Sequence, residues 1–133
     1  MQCISAFVEL GCQISIPFGE DSRYDFIADV NGKLYRIQCK TSSEIFDEDG
    51  EVSSIHFKTV RQSGSNASHW KRTKYTKAEI DFFATAYKKK CYLVPVEECS
   101  NEKVLRIKVP KNSQIKAITF LKDCELSEVL HKL

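Results

Sequence analysis

The spacing of apolar positions changes along the chain, and each change marks an element. Residues 2–10 put Ile4, Phe7 and Val8 at helical spacing, with Gly11 where a C-terminal glycine cap belongs, which predicts a short first helix. Residues 13–17 (QISIP) alternate polar and apolar, a short strand ended by Pro17 and Gly19. Next come two runs rich in β-branched and aromatic residues, YDFIADV and KLYRIQCKT, joined by Asn31-Gly32, the dipeptide that most favours a type I′ hairpin turn. With a two-residue turn there, Val30 faces Lys33, Phe26 faces Ile37, and Asp25 faces Gln38. Because strand side chains alternate, Tyr24, Phe26, Ala28, Tyr35, Ile37 and Cys39 share one nearly apolar face. Asp25, Ile27, Leu34, Arg36, Gln38 and Lys40 share the other. An acid, an amide and a lysine gather at one end of it, where a functional site or a satisfied polar network would keep them.

Asp49-Gly50 marks a second, weaker hairpin over residues 43–59. Residues 62–74 (QSGSNASHWKRTK) are polar and end in a basic stretch, which predicts a loop. Thr76 and Glu79 form a capping box, and Ile80, Phe83, Ala84 and Tyr87 follow at helical spacing as far as Lys88-Lys89-Lys90. The pattern predicts a second helix. CYLVPV and VLRIKVP then read as strands, residues 115–121 as a further short strand, and residues 125–132 as a terminal helix capped near Asp123.

Composition narrows what this order of elements can be. A chain of 133 residues with 42% apolar positions buries roughly two-thirds of its unfolded surface, enough for one domain over residues 1–133 without disulfides or metals. No apolar run approaches the ~18 residues of a membrane span, and the N-terminus carries no basic leader, so a soluble, cytoplasmic protein is expected. Six cysteines without a C-x-x-C pair or zinc-like histidine spacing read as reduced, mostly buried thiols. The net charge of +2 hides an asymmetry. Residues 20–51 hold nine acids against four bases, whereas residues 58–90 hold nine bases against two acids. The first block suits a cation and the second a polyanion.

At Asp25 and Gln38-Cys39-Lys40 the sequence resembles the PD-(D/E)xK nucleases of the restriction-endonuclease-like fold. The segment PFGEDSRYDFIADVNGKLYRIQCKTS is most similar to the subgroup in which Gln replaces the second acid, D…QxK, which includes homing endonucleases of group I introns. The downstream YTKAEIDFFATAYKKKCYLVPVEE is similar to the same subgroup. The resemblance implies an α/β fold with a mixed central β-sheet flanked by helices. It also implies a Mg²⁺-dependent (or Mn²⁺-dependent) endonuclease acting on double-stranded DNA. Asp25, Gln38 and the Cys39 backbone carbonyl would hold the metal, and Lys40 would orient or activate water or stabilise developing charge. Relatives carry a further Glu on the first helix, at a position that falls at or before Met1 here. Glu9 and Glu20 are the substitutes within this chain.

Arg36 is a candidate for phosphate contact or for an ion pair with Asp29. Trp70, Lys71, Arg72, Lys74 and Tyr75 interleave bases with aromatics, as a DNA-backbone clamp would. Read without the resemblance, Asp25 opposite Gln38 is a surface cross-strand pair with Lys40 an edge charge; the resemblance reverses that reading. Within the same fold, a Holliday-junction resolvase or repair nuclease is an alternative. A nucleic-acid-binding module without catalysis is the alternative from another class. One site per chain implies a homodimer or higher homo-oligomer for double-strand cleavage.

Overall fold

The computed structural model describes residues 2–19, 21–63, 71–110 and 117–133. Helix α1 (Gln2–Glu9) buries Cys3 and Phe7, and Gly11 takes a φ of +87° just past its end. Strand β1 (Gln13–Ser15) pairs antiparallel with β2 (Phe26–Val30), which pairs antiparallel with β3 (Lys33–Cys39). Val30 faces Lys33 and Phe26 faces Ile37, the register expected from the turn dipeptide. Asn31 and Gly32 both have positive φ, 53° and 90°, as a type I′ turn requires.

After β3 the chain builds a hairpin from β4 (Ser43–Phe46) and β5 (Val52–Lys58), then a second from β6 (Val60–Ser63) and β7 (Lys71–Lys74). The stretch expected to be a loop therefore contributes paired strands at both ends. It is followed by β8 (Phe82–Tyr87), β9 (Lys90–Pro95), β10 (Glu102–Arg106) and a terminal helix, α2 (Leu126–His131). The main sheet runs β1-β2-β3-β8-β9. Its β3–β8 pair is parallel and the others antiparallel, so the sheet is mixed. A three-stranded sheet, β10-β5-β4, packs on it.

The second expected helix is a strand. Its capping box does form: the Thr76 amide and hydroxyl donate to Glu79 Oε1 at 3.2 and 3.1 Å, and the Glu79 and Ile80 amides donate to the Thr76 carbonyl. The turn stops there, because the Asp81 amide donates to the Arg36 carbonyl at 2.9 Å and carries the chain alongside β3. Phe82 and Ala84 then fill one core with Phe7, Phe26 and Ile37. Phe83 fills the other with Ile55, Phe57 and Leu105. A strand buried on both faces loses its polar alternation, so its apolar run also satisfies helical spacing. Lys88 and Lys89, expected at a helix C-terminus, form the β8–β9 turn with φ of 48° and 68°.

Residues 115 and 116 of the expected strand at 115–121 lie outside the described residues. The rest is not a strand: Phe120 makes one isolated bridge to Arg106, and a 3₁₀ turn (Leu121–Cys124) leads into α2. Asp123 lies in that turn, and the residue at the N-cap is Glu125. All six cysteines are free, four of them buried. Among the described residues no helix is long and apolar enough to cross a membrane.

Candidate active site

Asp25 precedes β2, and its amide donates to the Ile37 carbonyl at 2.8 Å. Ile37 is already the partner of Phe26, so Asp25 does not pair with Gln38 as the turn dipeptide predicts; it lies outside the ladder, with its side chain at the end of β3. There Oδ2 accepts the Cys39 amide at 2.7 Å, and Gln38 Nε2 donates to the Cys39 carbonyl at 3.4 Å. A carboxylate, a carboxamide and a peptide carbonyl are thus held in one hydrogen-bonded knot, half-buried. The parallel neighbour locks the strand end. The Lys40 amide donates to the Ala84 carbonyl, and the Thr85 hydroxyl donates to the Lys40 carbonyl, both at 2.8 Å. Thr85, 1% exposed, is a positioning group that the sequence signals only as a hydroxyl inside an apolar run.

Gln38 lies opposite Phe83 on the face away from α1, as alternation requires. Lys40 Nζ reaches the Val60 carbonyl at 3.5 Å, which puts the start of the basic β6–β7 hairpin beside the knot. The Cys39 thiol is pushed far up by its hydrogen bond with the Cys3 thiol, by burial and by the nearby Asp25 charge. It stays protonated, so Cys39 offers the site its backbone and not a thiolate.

Arg36 departs from both expectations. Its backbone amide and Nε donate to Asp81 Oδ2 at 2.8 and 3.2 Å, and its terminal nitrogens donate to the Ala78 and Lys77 carbonyls. The partner is Asp81 and not Asp29, which instead accepts the Gly32 amide in the β2–β3 turn. Arg36 therefore serves as a strut between β3 and the 76–81 turn. Burial alone would raise the Asp81 carboxyl, but the hydrogen bonds from Arg36 outweigh it and hold the group below the ordinary carboxylate range.

Glu9 is not brought to the knot. The Cys3 end of α1 meets Cys39, whereas Leu10, Gly11 and Cys12 beyond its other end line a cavity with Asp29, Val30 and Asn31, at the opposite end of the hairpin. Glu20 and Trp70 lie outside the described residues. Lys71 and Arg72 sit in β7 opposite Ser63 and Gln62, and Lys74 is exposed opposite Val60. Among the described residues no group of three His, Cys, Asp or Glu side chains gathers to hold a metal. The knot's oxygen donors are instead one carboxylate, one amide and one carbonyl. Sequence reasoning missed Arg23 and the use of Tyr75: Arg23 Cζ lies 4.3 Å and Lys40 Nζ 4.9 Å from the Tyr75 ring centroid.

A mixed sheet that presents an aspartate beside the Q-x-K end of the next strand defines a protein of the restriction-endonuclease-like class. The chain belongs to the PD-(D/E)XK endonuclease family, whose model matches residues 1–127. Among solved structures it is similar to a bacterial homing endonuclease, I-Ssp6803I, at 20% sequence identity and a TM-score of 0.73. That match covers 98% of this chain and 87% of the other. No curated protein matches the chain.

Proposed function

We propose that residues 1–133 form a single nuclease domain that hydrolyses phosphodiester bonds in double-stranded DNA with Mg²⁺ or Mn²⁺. The observation that carries this reading is the Asp25 carboxylate hydrogen-bonded to the Cys39 amide, within the Gln38-Cys39-Lys40 segment. The donors suit a hard divalent cation in ligand type. Asp25, the Gln38 side-chain oxygen and the Cys39 carbonyl would hold it. One carboxylate brings less negative charge than two, so oxygens of the DNA phosphate would be needed to complete the set. When bound, the cation supplies charge neutralisation at a non-bridging phosphate oxygen. Lys40, on the same face, orients the attacking water and stabilises developing negative charge.

The basic segment with Lys71, Arg72 and Lys74, and with Trp70 next to it in the sequence, supplies the backbone clamp. Arg36 acts through the fold, by holding the 76–81 turn. With one site per chain, a double-strand cut uses two copies in a homodimer or higher homo-oligomer. A second reading, a DNA-binding module without chemistry, draws on the single carboxylate of the knot and the remoteness of Glu9.

Supercoiled-plasmid cleavage in Mg²⁺ or Mn²⁺ separates the two. Wild type is expected to nick and linearise the plasmid, and Asp25→Ala and Lys40→Ala are each expected to lose ~100-fold or more in rate. A wild-type protein that binds the plasmid and leaves it intact at high concentration makes the binding module the answer.

A further inference from the structure

Lysine is a compact charge on a flexible four-carbon stem, so a site that depends on Lys40 needs something to hold its ammonium. Tyr75 offers it. The Lys40 Nζ lies 4.9 Å from the Tyr75 ring centroid, within the range where the ring attracts a cation. The ring is fixed from two other directions. It meets Phe83, 1% exposed, edge to face with centroids 5.4 Å apart, and Arg23 packs its guanidinium 4.3 Å from the same centroid. Arg23 is itself held by Glu79 at 2.5 Å and by the Lys74 carbonyl at 3.4 Å. Glu79 is the acid of the capping box with Thr76. The abortive helical turn at 76–80 thus anchors a chain of contacts, Glu79 to Arg23 to Tyr75 to Lys40, that ends at the proposed reaction centre.

We infer that Tyr75 is a positioning residue, whose ring, with the Val60 carbonyl, holds the Lys40 ammonium at the end of β3. This rests on the role proposed above for Lys40. The hydroxyl is not required, because the attraction comes from the ring face. Tyr75→Phe therefore keeps the function and Tyr75→Leu loses it.

Two measurements on the full chain test this. In NMR spectra without DNA or metal, the ring current of Tyr75 shifts the Lys40 ε-methylene resonance upfield. The shift is expected to persist in Tyr75→Phe and vanish in Tyr75→Leu. In single-turnover plasmid cleavage, Tyr75→Leu is expected to lose ~10-fold in rate with DNA affinity within twofold of wild type, and Tyr75→Phe to stay within threefold in rate. In a Lys40→Ala background, Tyr75→Leu should cost nothing further, since the ring acts through the ammonium. Tyr75→Met keeps bulk against Phe83 without a ring and serves if the Leu variant does not fold. An active wild type whose Tyr75→Leu or Tyr75→Met variant keeps the wild-type rate overturns the positioning role alone, as does a Lys40 ε-methylene resonance that the loss of the ring does not move, or equal loss in the Lys40→Ala background. A wild type that leaves DNA intact removes the reaction and with it any role in it, whatever the resonance shows.

Discussion

The two faces of the main sheet have opposite fates. Toward α1, Phe7, Phe26 and Ile37 are fully buried and Leu93 is 1% exposed, with Phe7 and Phe26 edge to face at 5.4 Å. On the other face, Phe83 and Val94 are sealed by Ile55, Phe57 and Leu105, but the half over β2 and β3 stays open. Leu34 is 62% exposed there, and Gln38 and Lys40 are half-buried. Strand β3 belongs to both worlds. Ile37 is a core anchor, and its neighbour Gln38 is a residue of the proposed site. Alternation lets one strand serve as scaffold on one face and carry the proposed site on the other, with the buried side chains holding the polar ones at fixed spacing.

Breaking the sealed face should cost most. Phe26→Ala removes a ring from the core and is expected to lower unfolding free energy by about 4 kcal/mol in urea denaturation, against about 0.5 kcal/mol for Gln38→Ala on the open face. Comparable losses for the two would mean that the faces are not distinct in packing.

The next effect tests the strut on the open face. Asp81→Asn is expected to cost about 2 kcal/mol at neutral pH by weakening the Arg36 pair. Because the folded Asp81 carboxyl titrates below its ordinary value of 3.8, its contribution is complete above that pH and is lost as pH falls through the folded value. The gap between wild type and variant should therefore close in acid, and a gap independent of pH would assign the loss to packing. The smallest effect lies off both faces. Lys88→Asn with Lys89→Gly relieves two positive-φ lysines in the β8–β9 turn, and should raise stability by about 1 kcal/mol without changing plasmid cleavage.

Residues 24–40 were legible because their information is local. The Asn31-Gly32 turn sets the register from Val30–Lys33 to Phe26–Ile37, and period-two alternation sets the faces within the strands, but the register does not carry through to Asp25. Residues 76–90 misled for the opposite reason. Their capping box is real but lasts one turn, and the double-sided burial of β8 mimics helical spacing. Arg36 was misassigned because Asp81 lies 45 positions away and becomes its neighbour only through the parallel β3–β8 pairing. The role of Tyr75 was hidden likewise, since the ring's partners come from the segment before β2, the end of β3 and the middle of β8.

By itself, the sequence determined the first helix, the hairpin with its two faces, and the identity of the residues at the end of β3. Turn chemistry and alternation act between near neighbours and need no tertiary context. Only the tertiary structure decided that residues 82–87 are a central strand, that Arg36 braces Asp81, that Glu9 stands far from Asp25, and that an aromatic ring meets Lys40. Those outcomes depend on which surfaces become buried together. Burial is a property of the assembled sheet, and no local window of the chain contains it.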